Sequence, residues 1–305
     1  MKKMSILQPR IRGAALLLSL WALFLLSAMV MSWALDISSR FTLSGTANRA
    51  LQAEALACSG AEIALHPSVQ PGAGVLKGHP SSNQTYETNI TGEGGRLNVN
   101  WLVAGEDPDR LEVLRKYLEN KGVDLNERDR MIDSLLDWVE PNTGLHHLNG
   151  ATDSENYHPA HTLLTRIDDL KKVSGWQEFT STPGWDDEFT LNSTGPVDLA
   201  WASRDVLRSL PGMGDARVDQ FLMLRRGPDQ IDGTADDAKF KSIEEIGAAL
   251  GFTPEQFQEL SSLVGFNDQV MRVVSVGKSG DVTRVVQMVI RKAGARPQLI
   301  TWKEF

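Results

Sequence analysis

The chain has 305 residues, 41% of them hydrophobic and 23% charged, with a net charge of −8. That is an ordinary globular composition with room for one large domain or two small ones, and its negative charge argues against general attachment to phosphate backbones. The single cysteine, Cys58, rules out an intrachain disulfide and reads as a small core residue of a helix.

Lys2, Lys3, Arg10 and Arg12 precede an uncharged apolar run of 22 residues from Ala14 to Leu35. As a helix this run spans roughly 33 Å, enough for a hydrocarbon core of ~30 Å. The basic flank keeps the short end in the cytoplasm and sends the long C-terminal part outward. Gly13 stands at the boundary itself. An ordinary secretory signal is cut after its apolar core. A peptidase acting between Gly13 and Ala14 would leave that core on the mature protein and, by removing four cations, take the charge to −12. The arrangement resembles the class III leader of type IV pilins and pseudopilins, with a plain signal anchor as the alternative.

Helical pattern continues to about Leu65, rich in alanine between Ala47 and Ala64. Alanine is the best helix former, and small side chains permit close approach to another surface. His66-Pro67 ends this run of roughly 50 residues. Residues 68–82 read as a Pro/Gly/Ser-rich loop. Tyr86–Ile90 and Arg96–Val103, around Thr91-Gly-Glu-Gly-Gly95, read as one hairpin because Leu97, Val99 and Trp101 alternate with asparagines. Arg272–Val276 and Val282–Arg291, around Gly277–Asp281, read as a second, and Leu299–Trp302 as a last strand. Two early strands and three late ones enclose a long stretch of helical pattern, which reads as an insertion into one α/β domain.

Within the insertion, Arg166–Trp176 and Ser242–Phe252 align at a constant offset of 76, each with an isoleucine, two acids, an aliphatic, a glycine and a large aromatic. Thr165 and Ser242 are the expected caps, and two related helical units follow from the match. Val206–Phe221, with Pro-Gly-Met-Gly at its turn, has the helix-hairpin-helix pattern of the SAM-like fold, with Val218, Phe221, Leu222 and Leu224 directed inward. Such a turn can hold a phosphate on its backbone N–H groups. Five arginines and three aspartates between Arg204 and Arg226 leave little net charge for that purpose, so a structural hairpin competes with a DNA-binding one.

Two acidic loops have the oxygen-rich composition that suits a hard cation such as calcium. One carries Asp229, Asp232, Asp236 and Asp237, and the other Asp137, Glu140, Asp153 and Glu155. The Asp229 loop does not have EF-hand spacing, and a solvated acidic loop is the alternative. Zinc on His146, His147, His158 and His161 is disfavoured because adjacent histidines diverge. The sequence holds no HExxH, GxSxG or phosphate-loop motif, so no catalytic residue is assigned.

The leader, the alanine-rich helix, Leu136-Asp-Trp-Val-Glu140, Asn149-Gly-Ala-Thr-Asp153, Tyr157, Ile167-Asp-Asp-Leu170, Leu210-Pro-Gly212 and Ile300-Thr-Trp-Lys-Glu304 together resemble the K minor pseudopilins of type II secretion systems. The resemblance implies an α+β fold, in which a pilin-like N-terminal helix packs on an antiparallel sheet and a large helical domain with SAM-like, helix-hairpin-helix units is inserted. The boundaries it suggests are 1–13 for the leader, 14–35 for the membrane span, 36–104 with 268–305 for the pilin-like part, and 105–267 for the insertion, as units of about 105–180 and 195–267.

It further implies a non-enzymatic protein of the bacterial inner membrane, single-pass with a periplasmic domain, at the tip of the pseudopilus. I- and J-type minor pseudopilins, the major pseudopilin, prepilin peptidase and the inner-membrane secretion platform are the implied partners, with calcium in the helical domain and no nucleic acid. Pilins carry glutamate at the fifth mature position; counting from Ala14, this chain has Leu18. A membrane-anchored DNA-binding protein of the competence type is the alternative. If Gly13 marks the cleavage site, a Gly13→Leu precursor is expected to stay uncut when the mass of the N-terminus is measured, and normal maturation would overturn the assignment.

Overall fold

The structure, a computed structural model, describes residues 12–142, 144, 146–234, 236–238, 240, 242–266, 268–292 and 297–305, with side chains from Ala14 onward. The leader positions 1–11 lie outside the described residues. Helix α1 (Arg12–Leu65) runs unbroken for 54 residues, so the Gly13–Ala14 bond falls in its first turn. Its first half projects alone with its apolar side chains exposed, among them Leu16, Trp21, Phe24 and Trp33. By length and composition this half can cross a membrane.

The second half lies on a five-stranded antiparallel sheet in the order β1-β2-β7-β8-β9. Its members are β1 (Lys77–Ser81), β2 (Gln84–Gly92), β7 (Val270–Ser279), β8 (Val282–Arg291) and β9 (Gln298–Glu304). The contact stripe is Ala53, Ala57, Ala61 and Ala64, all fully buried at helical spacing. Smallness is required on both sides. A Cβ at Gly277 would stand 2.0 Å from the Ala53 carbonyl oxygen, and one at Gly60 would stand 2.4 Å from the hydroxyls of Thr88 and Ser275. Those two hydroxyls bond each other at 2.9 Å beneath the helix. Cys58 is partly buried beside this core, and burial, then Glu304, Glu54 and Glu62, pushes its thiol up, away from reactivity.

Two early and three late strands do make the sheet, but the early pair is not the expected one. Residues 77–81, within the expected loop, pair with β2 across Ser82-Asn83, while β2 pairs on its other side with β7. Of the expected strand Arg96–Val103 only β3 (Leu97–Asn98) is extended, and α2 (Val99–Val103) follows it. Asn98 caps α2 by accepting from the Trp101 N–H at 3.1 Å, and Val99, Leu102 and Val103 are buried at helical spacing. The apparent alternation was a capped helix start.

Between β2 and β7 the chain builds a second core from α2, α3 (Pro108–Asn120) and α4 (Leu125–Val139), then α5 (Gln177–Ser181), α6 (Arg204–Arg208), α7 (Asp215–Arg225), α8 (Ile243–Ala249) and α9 (Pro254–Ser261). This region is not purely helical. β3 pairs in parallel with β4 (Phe189–Thr190), and β5 (Val197–Asp198) pairs in parallel with β6 (Val264–Gly265). In the near-repeat the first copy is a 3-10 helix, Ile167–Lys172, and the second is α8. Ser242 caps α8, whereas Thr165 instead donates to Asp169 and Arg166 takes the cap position. Gly175 and Gly251, at φ +83° and +67°, turn the chain after each.

Gly277→Ala is expected to destabilise the full chain in detergent by about 1–3 kcal/mol, because the helix must lift from the sheet. Gly45→Ala, with nothing within 4 Å of the added carbon, is expected to stabilise it by about 0.5–1 kcal/mol. Denaturant titration checks both.

Candidate functional site

The two bodies meet at a fully buried carboxylate. Glu93, in the Gly92–Gly95 turn, accepts from Arg272 Nε and Nη2 at 2.7 Å each. Thr190 of β4 adds a hydroxyl at 2.5 Å and Arg96 a contact at 3.4 Å. Thus β7 and β4 hold one carboxylate between them. Burial pushes the Glu93 carboxyl up, but Arg272, Arg96 and Thr190 outweigh it and hold it below the ordinary range. Burial, then the charge of Arg272, lowers the Arg96 guanidinium to about 10. Trp201 closes the turn: a Cβ at Gly92 would stand 2.1 Å from its ring and one at Gly95 2.4 Å from its carbonyl.

Of the first acidic loop, the structure does not gather Asp137, Glu140, Asp153 and Glu155. Asp137 is buried and accepts from the His147 N–H at 2.9 Å and from Nδ1 at 2.7 Å. Its Oδ2 is buried with no hydrogen-bond partner among the described residues. Glu140 accepts from the Asn142 N–H at 2.9 Å, Asp153 pairs with His158 at 2.6 Å, and Glu155 is in an exposed turn. The histidines are likewise separate: His147 also reaches Glu106 at 3.3 Å, and His161 donates Nδ1–H to the Glu140 carbonyl at 2.9 Å. Burial would lower the His147 ring, but Asp137 and Glu106 raise it above its ordinary value. Asp133, one turn before Asp137 on α4, accepts twice from Asn149 and was not singled out in the sequence, although its i, i+4 spacing signals it.

The second loop is partly assembled. One carboxylate oxygen each from Asp229, Asp236 and Asp237 lies within 4.8 Å of the others, the single such cluster among the described residues. Asp232 is diverted, held by Arg225 at 2.9 Å and Arg226 at 3.0 Å. The donor set of three carboxylates fits a hard cation; the first loop, as arranged, does not.

The hairpin is α6, a turn with Gly212 at φ +71°, and α7. Val218, Phe221 and Leu222 are buried, but Leu224 is 42% exposed and not directed inward. All five arginines are engaged internally. Arg204 pairs with Asp215 and Asp219, Arg208 with Asp215, and Arg225 and Arg226 with Asp232. Arg217 lies 4.5 Å over the Phe252 ring. Asp215 occupies the first turn of α7, where a phosphate would sit.

A membrane-length helix packed on an antiparallel sheet, interrupted by a helical body, defines a membrane-anchored protein of pilin-like architecture. Residues 95–181 match the family model of type II secretion system protein K. A chain of the crystal structure of the GspK-GspI-GspJ complex from the enterotoxigenic Escherichia coli type 2 secretion system is similar at 12% identity and a TM-score of 0.56, over 88% of this chain and 99% of that one. No curated protein matches the sequence. Residues 95–181 thus carry a type II secretion protein K domain, and the likeness to the solved chain shows a shared fold.

The Glu93 carboxyl titrates below its unfolded value, so its stabilising contribution is present above about pH 4.3 and lost as the pH falls through the lower folded value. Stability of the wild type is therefore expected to drop more steeply on acidification below pH 4.3 than that of Glu93→Gln. Parallel acid limbs in denaturant titrations would contradict this.

Proposed function

We propose that the chain caps the tip of the type II pseudopilus and helps to initiate its assembly, without catalysing a reaction. The observation that carries this reading is α1, whose exposed half is long and apolar enough to cross a membrane and whose other half packs on the sheet into which the protein K domain is inserted. Cleavage between Gly13 and Ala14 would remove only Arg12 and Gly13 from α1 and leave the rest on the mature protein. Leu18, 71% exposed, stands where pilins carry a glutamate. An unpaired carboxylate in an apolar helix is costly, so in the shaft it is neutralised by a neighbouring subunit. A first subunit has no predecessor to pair with, and leucine there avoids burying a lone charge. The bulk of the helical body, extending from the sheet between β2 and β7, would obstruct subunits stacked beyond it.

On this reading the domain is periplasmic, and I- and J-type minor pseudopilins are its neighbours, as in the complex of the similar chain. The major pseudopilin, prepilin peptidase and the inner-membrane secretion platform act on or beside it. Calcium belongs to Asp229, Asp236 and Asp237, where it would order the loop; Asp232 serves as the arginine partner. The competence-type DNA-binding reading is disfavoured by the engagement of all five hairpin arginines. Labelling the exported domain in assembled pseudopili is expected to give signal at one end, and signal along the shaft would overturn the tip assignment. Added calcium is expected to raise the melting temperature of the full chain in detergent, and to do so less in Asp236→Asn; indifference to calcium and chelator alike would remove it from the account.

A further inference from the structure

On the sheet face opposite α1, a cleft of ≈ 130 Å³ lies between the sheet and the helical body. The strand register sets its floor. Arg272, Val289 and Thr301 form one row across β7, β8 and β9, and Gln287 pairs with Lys303 in the next row on the same face. Opposite stand Arg166 and Asn192 of the helical body, with Asp186 as the one carboxylate in the lining. Three cations against one acid is the reverse of a chain whose net charge is −8.

These cations are not used up by the protein. Arg272 spends Nε and Nη2 on Glu93, leaving Nη1 without a partner among the described residues. The Lys303 side chain is exposed and makes no hydrogen bond or ion pair among them, although its charge reaches Asp168. Arg166 reaches only Asp168, at 3.8 Å, and that carboxylate is itself taken by Lys171 at 2.7 Å. Beneath the cleft, the Glu93 carboxylate is held by Arg272 and Arg96. The remaining groups, the Gln287 and Asn192 amides and the Thr301 hydroxyl, supply neutral donors. A cleft of ≈ 130 Å³ suits a compact ligand rather than a bulky one.

We infer that this cleft binds a small oxyanion or carboxylate, held by Lys303, Arg166 and the free edge of Arg272. Because its walls come from both bodies, the bound group also ties the helical body to the sheet. The ligand is either a free oxyanion or a carboxylate presented by a neighbouring protein, and two probes separate these sources.

The test titrates the full chain in detergent with sodium phosphate and, separately, with N-acetylglutamate N-methylamide, against sodium chloride at matched ionic strength. Saturable binding of at least one probe is expected, weakened about tenfold by Lys303→Gln or Arg166→Gln and unchanged by the distant Lys278→Gln. Both cleft substitutions are at exposed positions, and their melting without ligand verifies folding. Binding of phosphate alone identifies a free oxyanion, and binding of the glutamate derivative alone identifies a protein carboxylate. Failure of both probes to saturate, or binding indifferent to both cleft substitutions, overturns the inference.

Discussion

The structure depends on one buried carboxylate with two arginines. Taking Glu93 and Arg272 out of water costs several kcal/mol per ion, which only good geometry and extra hydrogen bonds can offset. Here the arginine fork meets the carboxylate with two bonds of 2.7 Å, and Thr190 fills a further acceptor site. An apolar trio of the same volume could hold two layers together as firmly. What the charged arrangement adds is direction: the carboxylate leaves β2 in a fixed turn, the fork comes from β7, and the hydroxyl comes from the helical body. The chain departs from the sheet and the returning strand passes at the same point, so the helical body is tied at its root.

The opposite face of the sheet obeys a different constraint. There α1 approaches so closely that backbone meets backbone, and the contact stripe itself carries no charge. Ala53 and Ala57 against Gly277, with Gly60 against two hydroxyls, leave no room for a methyl group. Close contact fixes the rotation of the helix about its axis, and hence which side of its free half faces a bilayer or a neighbouring subunit. Arg49 adds a pin at the sheet end, pairing with Asp281 at 2.6 Å.

Much of this was legible in the sequence because it was local. The apolar run, the alanine stripe and the His66-Pro67 stop set α1, and the Gly277–Asp281 turn between two strand-like runs set the β7–β8 hairpin. Where reading failed, a distant partner decided. Residues 77–81 contain Gly78 and Pro80 and read as loop, but an edge position on β2 tolerates both. Arg96–Val103 alternated like a strand, yet Asn98 found the Trp101 N–H and a helix began. The same holds for the sites. Four aspartates near Gly233 looked equivalent until Arg225 and Arg226, from α7, withdrew Asp232. Glu93 sat in a glycine-rich turn, where a charge is ordinarily solvated, and nothing nearby in sequence announced Arg272, 179 residues away.

The central claim is that Glu93 and Arg272 act as one unit joining the two bodies. A double-mutant cycle of Glu93→Gln and Arg272→Gln, measured by denaturant unfolding of the full chain in detergent, tests it most directly. Each single substitution strands a buried charge and is expected to cost about 3–5 kcal/mol. The double variant is expected to cost little more than either, a coupling of about 2–3 kcal/mol or above. Additive losses, with the double variant at the sum of the two singles, would show that the two residues stabilise their own surroundings independently and would contradict the account.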